Sequence, residues 1–246
     1  YGLDDAHLAA ISAINYANAR RNPNAQTRSW YMNEEHAMLR EEANALVGGR
    51  LRISDCSQVT DGAAAVLLAS AERAARYAEE HGLKLEEIPR IEGWGHHTAP
   101  LRLVDKFAES EGQPYVLPHV RSTITDAYGR AGIEGPWQLD AIETHDCFTS
   151  SEYMAIDHFG LTAPGESWKA IEEGWIALDG KLPINPSGGL IGAGHPVGAT
   201  GVRQLLDADL QVRGEAHGYQ VEGARRVGTL NIGGSGTTSV SFIVGR

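Results

Sequence analysis

"NPSGGLIGAGHPVGATG", Asn185–Gly201, is the stretch on which the reading of the chain turns. Glycines surround one His-Pro pair, His195-Pro196, and the stretch runs directly into the amphipathic segment "VRQLLDADLQV" at 202–212. Glycine at this density means either a slack loop or a backbone that must approach something closely without Cβ clashes. The proline fixes φ just after the histidine, and the helix that follows presents unpaired N–H groups and positive potential. His195 is then held beside a site suited to negative charge, as an acid/base or as an oxyanion donor. An ordinary glycine-rich turn bearing a surface histidine is the competing reading.

Working outward, residues 201–214 read as a helix with Val202, Leu205, Leu206 and Leu210 on one face. "RRVGTLNIGG" (225–234) and "TTSVSFIVG" (237–245) read as strands joined by Gly-Ser-Gly, a hairpin signal. Upstream, residues 4–21 and 33–46 read as helices separated by a polar loop. The apolar run "GAAAVLLAS" (62–70) suits a short buried strand, and "AERAARYAEEHG" a helix ending at Gly82. Residues 88–97 and 139–146 follow as strands, 117–133 and 150–161 as helices. Strands alternating with helices over 60–246 imply a layered α/β domain with a mixed sheet, while 1–59 reads as a separate, mostly helical lobe.

The net charge of −11, from 21 basic and 32 acidic residues, disfavours a nucleic-acid or anionic-membrane partner. An anionic cofactor held by a local patch stays open. Cys56 and Cys147 form no CxxC pair, so a disulfide framework is not expected, and a reducing, cytoplasmic compartment is. No apolar run reaches membrane length and no signal peptide is recognised.

A second chemical candidate is "ETHDCFTSSE" (143–152), at the carboxyl end of an expected strand, where open α/β sheets place their ligand sites. On a strand His145 and Cys147 share a face, and the imidazole could turn the thiol into a nucleophile or proton shuttle. A buried cysteine acting as a small hydrophobe is the alternative, and Cys56, with no nearby histidine, is read as structural. His96, His97, His119, His145, Asp146 and Cys147 lack metal-ligand spacing, so no metal is expected. Neither "GLIGAG" nor "NIGGSG" completes a dinucleotide fingerprint.

Together these segments resemble the thiolase superfamily. "NPSGGLIGAGHPVGATG" resembles its C-terminal signature, and "SQVTDGAAAVLLAS" (57–70) the strand opening its C-terminal half. "HDCF" (145–148) resembles the variant motif of the sterol-carrier-protein-2 type, and "TLNIGGSG" (229–236) the last catalytic loop. The resemblance implies the thiolase fold: a βαβαβαββ half over 60–246, with 1–59 as the remnant of a helical loop domain. It implies acyl transfer that makes or cleaves a carbon–carbon bond between acyl-CoA thioesters, with coenzyme A as part of the substrate and no bound cofactor. His195 would activate the nucleophile and help hold a thioester oxygen. His145 would serve the enolate oxyanion hole, and Cys147 would move the α-proton. The backbone N–H of Gly233 would join the oxyanion hole of the acylated enzyme. Phe148 would line the pantetheine channel, Gly194 would clear space for the thioester, and Asn231 stands where classical thiolases keep a second cysteine. Nothing in the chain resembles the half that carries the family's nucleophilic cysteine, so the chain reads as the C-terminal portion of a longer enzyme. A homo-oligomer is expected, dimer or tetramer. The rival functions are a thiolase-like retro-aldolase of sterol side-chain CoA thioesters working with a small accessory subunit, and a non-catalytic acyl-CoA-binding or scaffold subunit.

Overall fold

The computed structural model describes residues 3–39 and 42–246. Helix α1 (Asp5–Ala19) is capped by Asp4, whose carboxylate accepts from the Ala6 N–H at 2.9 Å. The helix expected at 33–46 is shorter: α2 covers Glu34–Met38, and Glu42–Asn44 forms a 3-10 turn. Residues 40 and 41 of that expectation lie outside the described residues. Asn44 accounts for the early stop, because its Nδ2 donates to the carbonyls of His36, Ala37 and Leu39 that would otherwise continue the helix. A small antiparallel ribbon follows, β1 (Leu46–Gly48) with β2 (Leu51–Arg52).

Helix α3 (Ala71–His81) starts at the Ser70 cap and stops at Gly82, whose φ of 66° is the left-handed geometry glycine adopts freely. Strand β3 (Arg90–Thr98), α4 (Leu103–Ser110), α5 (Pro118–Ala131), β4 (Ala141–Glu143), α6 (Thr149–Phe159) and α7 (Ser167–Glu172) come next. The short helix α8 (Gly189–Ala193), α9 (Thr200–Arg213) and the hairpin β5 (Arg226–Gly233)–β6 (Thr238–Gly245) complete the chain.

The sheet runs β3-β6-β5-β4, with β4 parallel to β5 and the other pairs antiparallel, so it is mixed as expected. A single parallel bridge from Ile184 to Ile142 stands in the place of a further strand. Helix α5 lies directly on β3, and Gly95 is glycine because a Cβ there would collide with the Thr123 carbonyl. One apolar core joins Ile142, Leu230 and Ile243 of the sheet to Ile124, Ile156 and Phe159 of the helices. Leu8 and Ile11 of α1 belong to the same core.

One expectation fails, and one helix forms as expected but turns a polar face inward. The run 62–70 forms no strand, and Leu67 is fully exposed at 101% with Leu68 at 74%. A strand needs a hydrogen-bonded neighbour, and among the described residues none pairs with this run, so its apolar content alone cannot make it one. Helix α9 buries Gln204, Asp207 and Gln211, whereas Val202, Leu205, Leu206 and Leu210 are only half-buried. The polar face is tolerated inside because each side chain has a partner. Asp207 accepts from Arg203 and Tyr219, Gln211 donates to the Tyr219 carbonyl, and Gln204 accepts from Asn231.

Candidate active site

Strand β4 ends at Glu143, and the chain leaves the sheet through Thr144-His145-Asp146-Cys147 before α6 begins. Beside it run the glycine stretch and α8, which deliver His195. The rings of His145 and His195 meet edge to face, with centroids 5.4 Å apart. A third strip, residues 56–60, is laced between the two loops. Ser57 N donates to the Cys147 carbonyl at 2.9 Å, and Cys56 bridges Phe148. His195 N donates to the Gln58 carbonyl at 2.8 Å, and Thr60 N to the His195 carbonyl at 3.3 Å. The His-Asp-Cys loop and the Gly-His-Pro loop, separate in sequence, are therefore one unit in space.

His145 is 7% exposed and His195 8%. Burial pushes the His145 pKa down to about 4, helped by the neighbouring His195 and opposed by the Asn231 side chain. It is a neutral imidazole near pH 7, a hydrogen-bond donor that brings no charge. Burial also lowers the His195 pKa. The His195 Nδ1 sits 2.7 Å from the Thr200 hydroxyl, which is itself 3.1 Å from the Pro196 carbonyl. With the hydroxyl proton given to that carbonyl, Nδ1–H donates to Thr200 and Nε2 is left as a free base.

Cys147 is half-buried, with Sγ 3.4 Å from the Ser151 hydroxyl. Burial raises its pKa, and the Ser151 contact only partly opposes this. The thiol is the resting form, suited to giving a proton. Cys56 is likewise a thiol raised by burial, with Sγ 3.3 Å from the Arg52 carbonyl.

The other expected residues are placed around this pair. Asn231 on β5 touches His145 and donates to Gln204. Gly233 closes β5 and is exposed, and Thr237 N donates to its carbonyl at 3.0 Å. Phe148, 40% exposed, caps α6 at the rim. A cleft of about 430 Å³ opens between Thr60–Ala64 and Pro196–Ala199, next to His195. A larger cavity of about 720 Å³, lined by Arg90, Arg213, Arg225 and Arg246, shares no residue with the site. Among the described residues no three His, Cys, Asp or Glu side chains are grouped to hold a metal ion.

The glycines of 185–201 have a purpose the sequence reading missed. At Gly188 a Cβ would fall 2.7 Å from the Ala19 Cβ, and at Gly192 it would fall 2.6 Å from the Asn15 carbonyl. At Gly189 it would strike the Asp146 carboxylate, and at Gly194 it would lie 2.7 Å from Gln26 Cγ. The space these glycines open is filled by the protein itself, chiefly by α1 and Asp146. Sequence reasoning also passed over Thr200 as a partner of His195, and weighed Asp146 only as a metal ligand.

Residues 104–246 match the family described as Thiolase C-terminal domain-like. The whole chain is 36% identical to an acetyl-CoA acetyltransferase of Methanothermobacter thermautotrophicus, of which it covers 60%. Over 98% of its length it is 31% identical to sterol carrier protein 2 of Bos taurus, of which it covers 42%. Among solved structures, the Ltp2-ChsH2(DUF35) aldolase superposes with a TM-score of 0.79 at 20% identity, over 100% of this chain and 59% of that one. A monomeric SCP2-thiolase-like protein type 1 from Mycobacterium smegmatis gives 0.69 at 16% identity, over 99% of this chain and 47% of that one. The chain thus spans about half the length of the relatives it matches.

Proposed function

The chain belongs to the Thiolase C-terminal domain-like family, and on that premise we propose that it carries the acid/base part of a thiolase-type active site acting on acyl-CoA thioesters. The observation that carries the reading is that His195 meets His145, which shares its loop with Cys147, at 5.4 Å between ring centroids. In the cleavage direction, an attacking thiol gives its proton to His195 and its sulfur bonds to the keto carbon of a 3-ketoacyl thioester. The Cα–Cβ bond breaks, the acyl group stays on that sulfur as a new thioester, and an enolate leaves. The neutral His145 donates a hydrogen bond to the enolate oxygen, which needs a preorganised donor where water is scarce. The Cys147 thiol gives its proton to the enolate carbon, completing the leaving acyl thioester. The proton taken by His195 Nε2 matches the one given up by Cys147, so the step ends with an imidazolium at His195 and a thiolate at Cys147.

The nucleophilic cysteine is assigned to a segment outside these residues, in keeping with relatives longer than this chain. The Gly233 N–H would complete an oxyanion hole, Phe148 would line the pantetheine channel, and Gly194 and Asn231 would border the thioester. We retain 1–59 and 60–246 as the division of the chain, with α1 of the first part packed into the core of the second and not standing as a separate lobe. Exposed apolar side chains at Leu67, Leu101, Val104 and Phe107 support assembly as a homo-oligomer or with a small accessory subunit. No helix of the described residues is long and apolar enough to cross a membrane, and the two free thiols favour a cytoplasmic setting.

The test is thiolysis of acetoacetyl-CoA by free CoA, with the intact mass of the polypeptide measured alongside. Cleavage lost in Cys147→Ala and His195→Ala supports the reading. Cleavage that survives both substitutions overturns the assigned roles. A polypeptide that carries the nucleophile and still cleaves nothing overturns the activity.

A further inference from the structure

Asp146 lies between His145 and Cys147 in sequence, and its side chain is fully buried. Its carboxylate accepts from Leu190 N at 2.6 Å and Ile191 N at 3.1 Å, the second and third amides of α8. It also accepts from Asn15 Nδ2 of α1 at 3.0 Å. The same Asn15 amide lies 2.7 Å from Glu152 Oε2 on α6, and Asn185 Nδ2 reaches that oxygen at 2.7 Å as well. Asn185 returns to the site loop by accepting from Thr144 N at 2.8 Å. The elements that carry His145, Cys147, Phe148 and His195 are tied to this buried group: the His-Asp-Cys loop, α6, α8 and, through α8, Gly194-His195.

Resting on the function proposed above, we propose that Asp146, bridged by Asn15, is the positioning residue that sets His195 against His145 and Cys147. The carboxylate holds α8 by its N-terminal amides, and α8 ends at Ala193, two residues before His195. Two features argue that this geometry is required. Gly189 has φ +62° and leaves no room for a Cβ beside the carboxylate, so the approach of α8 to Asp146 is built into the backbone. Burial raises both carboxyls, Glu152 to about 8 and Asp146 to about 6, and the Leu190 and Ile191 amides oppose the rise only at Asp146, so near pH 7 the negative charge of the pair rests on Asp146. Asn15 is the link through which α1, from the helical N-terminal part, acts on the site.

The test uses Asp146→Asn, Asn15→Ala and, as a control that removes a buried hydrogen bond elsewhere, Tyr128→Phe, whose hydroxyl donates to the Phe159 carbonyl at 3.1 Å. The first readout is amide hydrogen exchange. Segment 189–195 should exchange about tenfold faster in Asp146→Asn, less so in Asn15→Ala, and unchanged in Tyr128→Phe. The second is steady-state thiolysis by the same proteins: kcat should fall on the order of 10²-fold in Asp146→Asn with KM little changed, because loss of alignment touches the reacting groups and not binding. Unaltered exchange at 189–195 in both Asp146→Asn and Asn15→Ala overturns the proposal. A lowered Tm with kcat intact also overturns it, since that is the signature of a merely structural carboxylate. If the wild-type protein shows no thiolysis, the functional reading fails while the exchange arm still judges the strut.

Discussion

The seam between α1 and the glycine stretch and the stretch from Asp61 to Gln113 are both rich in small and apolar residues, yet they are finished differently. In the seam every approach is closed. Gly188 and Gly192 admit α1, and the amides of Asn15, Asn18 and Asn22 donate to Asp146, Asn185 and Ser187. Thr27 reaches the Gly192 carbonyl at 2.7 Å. In the other region Leu67, Leu68, Leu101, Leu103, Val104 and Phe107 stand in solvent. Helix α4 is inverted there, with Lys106 at 3% exposure bonded to Thr237 while Phe107 is 60% exposed. Apolar pattern alone does not decide burial; a matched neighbour does, and among the described residues the seam has one where the side chains of 67–68, 101, 103–104 and 107 do not.

That contrast can be broken most forcefully at the glycines. Gly192→Ala and Gly189→Ala should each cost about 3 kcal/mol, from overpacking and, at Gly189, left-handed strain. Chemical denaturation of the variants measures this, and a loss below about 1 kcal/mol would mean that α1 is not pressed against α8 as described. A matched pair sharpens the point: Ile142→Ala in the core should also cost about 3 kcal/mol, and Leu67→Ala less than about 0.5 kcal/mol. Equal losses would place Leu67 in a packed environment.

Within the seam, Thr200→Val removes the hydroxyl that orients His195 and should lower kcat/KM by about tenfold, with Thr200→Ser restoring it. Failure of serine to rescue would show that shape, and not the hydroxyl, matters at this position. The smallest effect concerns pH. Burial raises the Glu152 pKa, so the group binds its proton more tightly folded than unfolded. Its contribution is complete below the ordinary carboxylate range and fades as pH rises through that range toward the elevated folded value. Glu152→Gln should therefore gain stability relative to wild type between about pH 5 and pH 8. A difference that is flat with pH would show that Glu152 is not held neutral. His145 acts in the opposite sense, since a depressed histidine pKa loses stability as pH falls from about 6.5 to about 4.

Much of the layered fold was legible because α5, α6 and α9 carry clear capping and periodic signals, and because the closing hairpin declares itself through Gly-Ser-Gly. The run 62–70 misled because a short apolar stretch specifies burial without saying against what. The polar face of α9 was hidden because Gln204, Asp207 and Gln211 are buried only by virtue of partners distant in sequence, such as Tyr219 and Asn231. At the site, His145, Cys147 and His195 were legible as chemistry-bearing residues in unusual backbone contexts. Asp146 and Asn15 were not, because a carboxylate and an amide 131 positions apart reveal their role only when both are seen to meet α8.

The most direct test of the central claim, that His145, Cys147 and His195 form one acid/base site, is exchange of the acetyl-CoA methyl protons with D2O, followed by NMR. Exchange begins when a base, the thiolate form of Cys147, takes a methyl proton while His145 holds the enolate oxygen, and the thiol so formed returns a deuteron after exchange with solvent; no nucleophilic cysteine is needed. The account predicts exchange above the solvent background that vanishes in Cys147→Ala and drops sharply in His145→Ala. Exchange at the background rate, or exchange unaffected by loss of the Cys147 thiol, would contradict it.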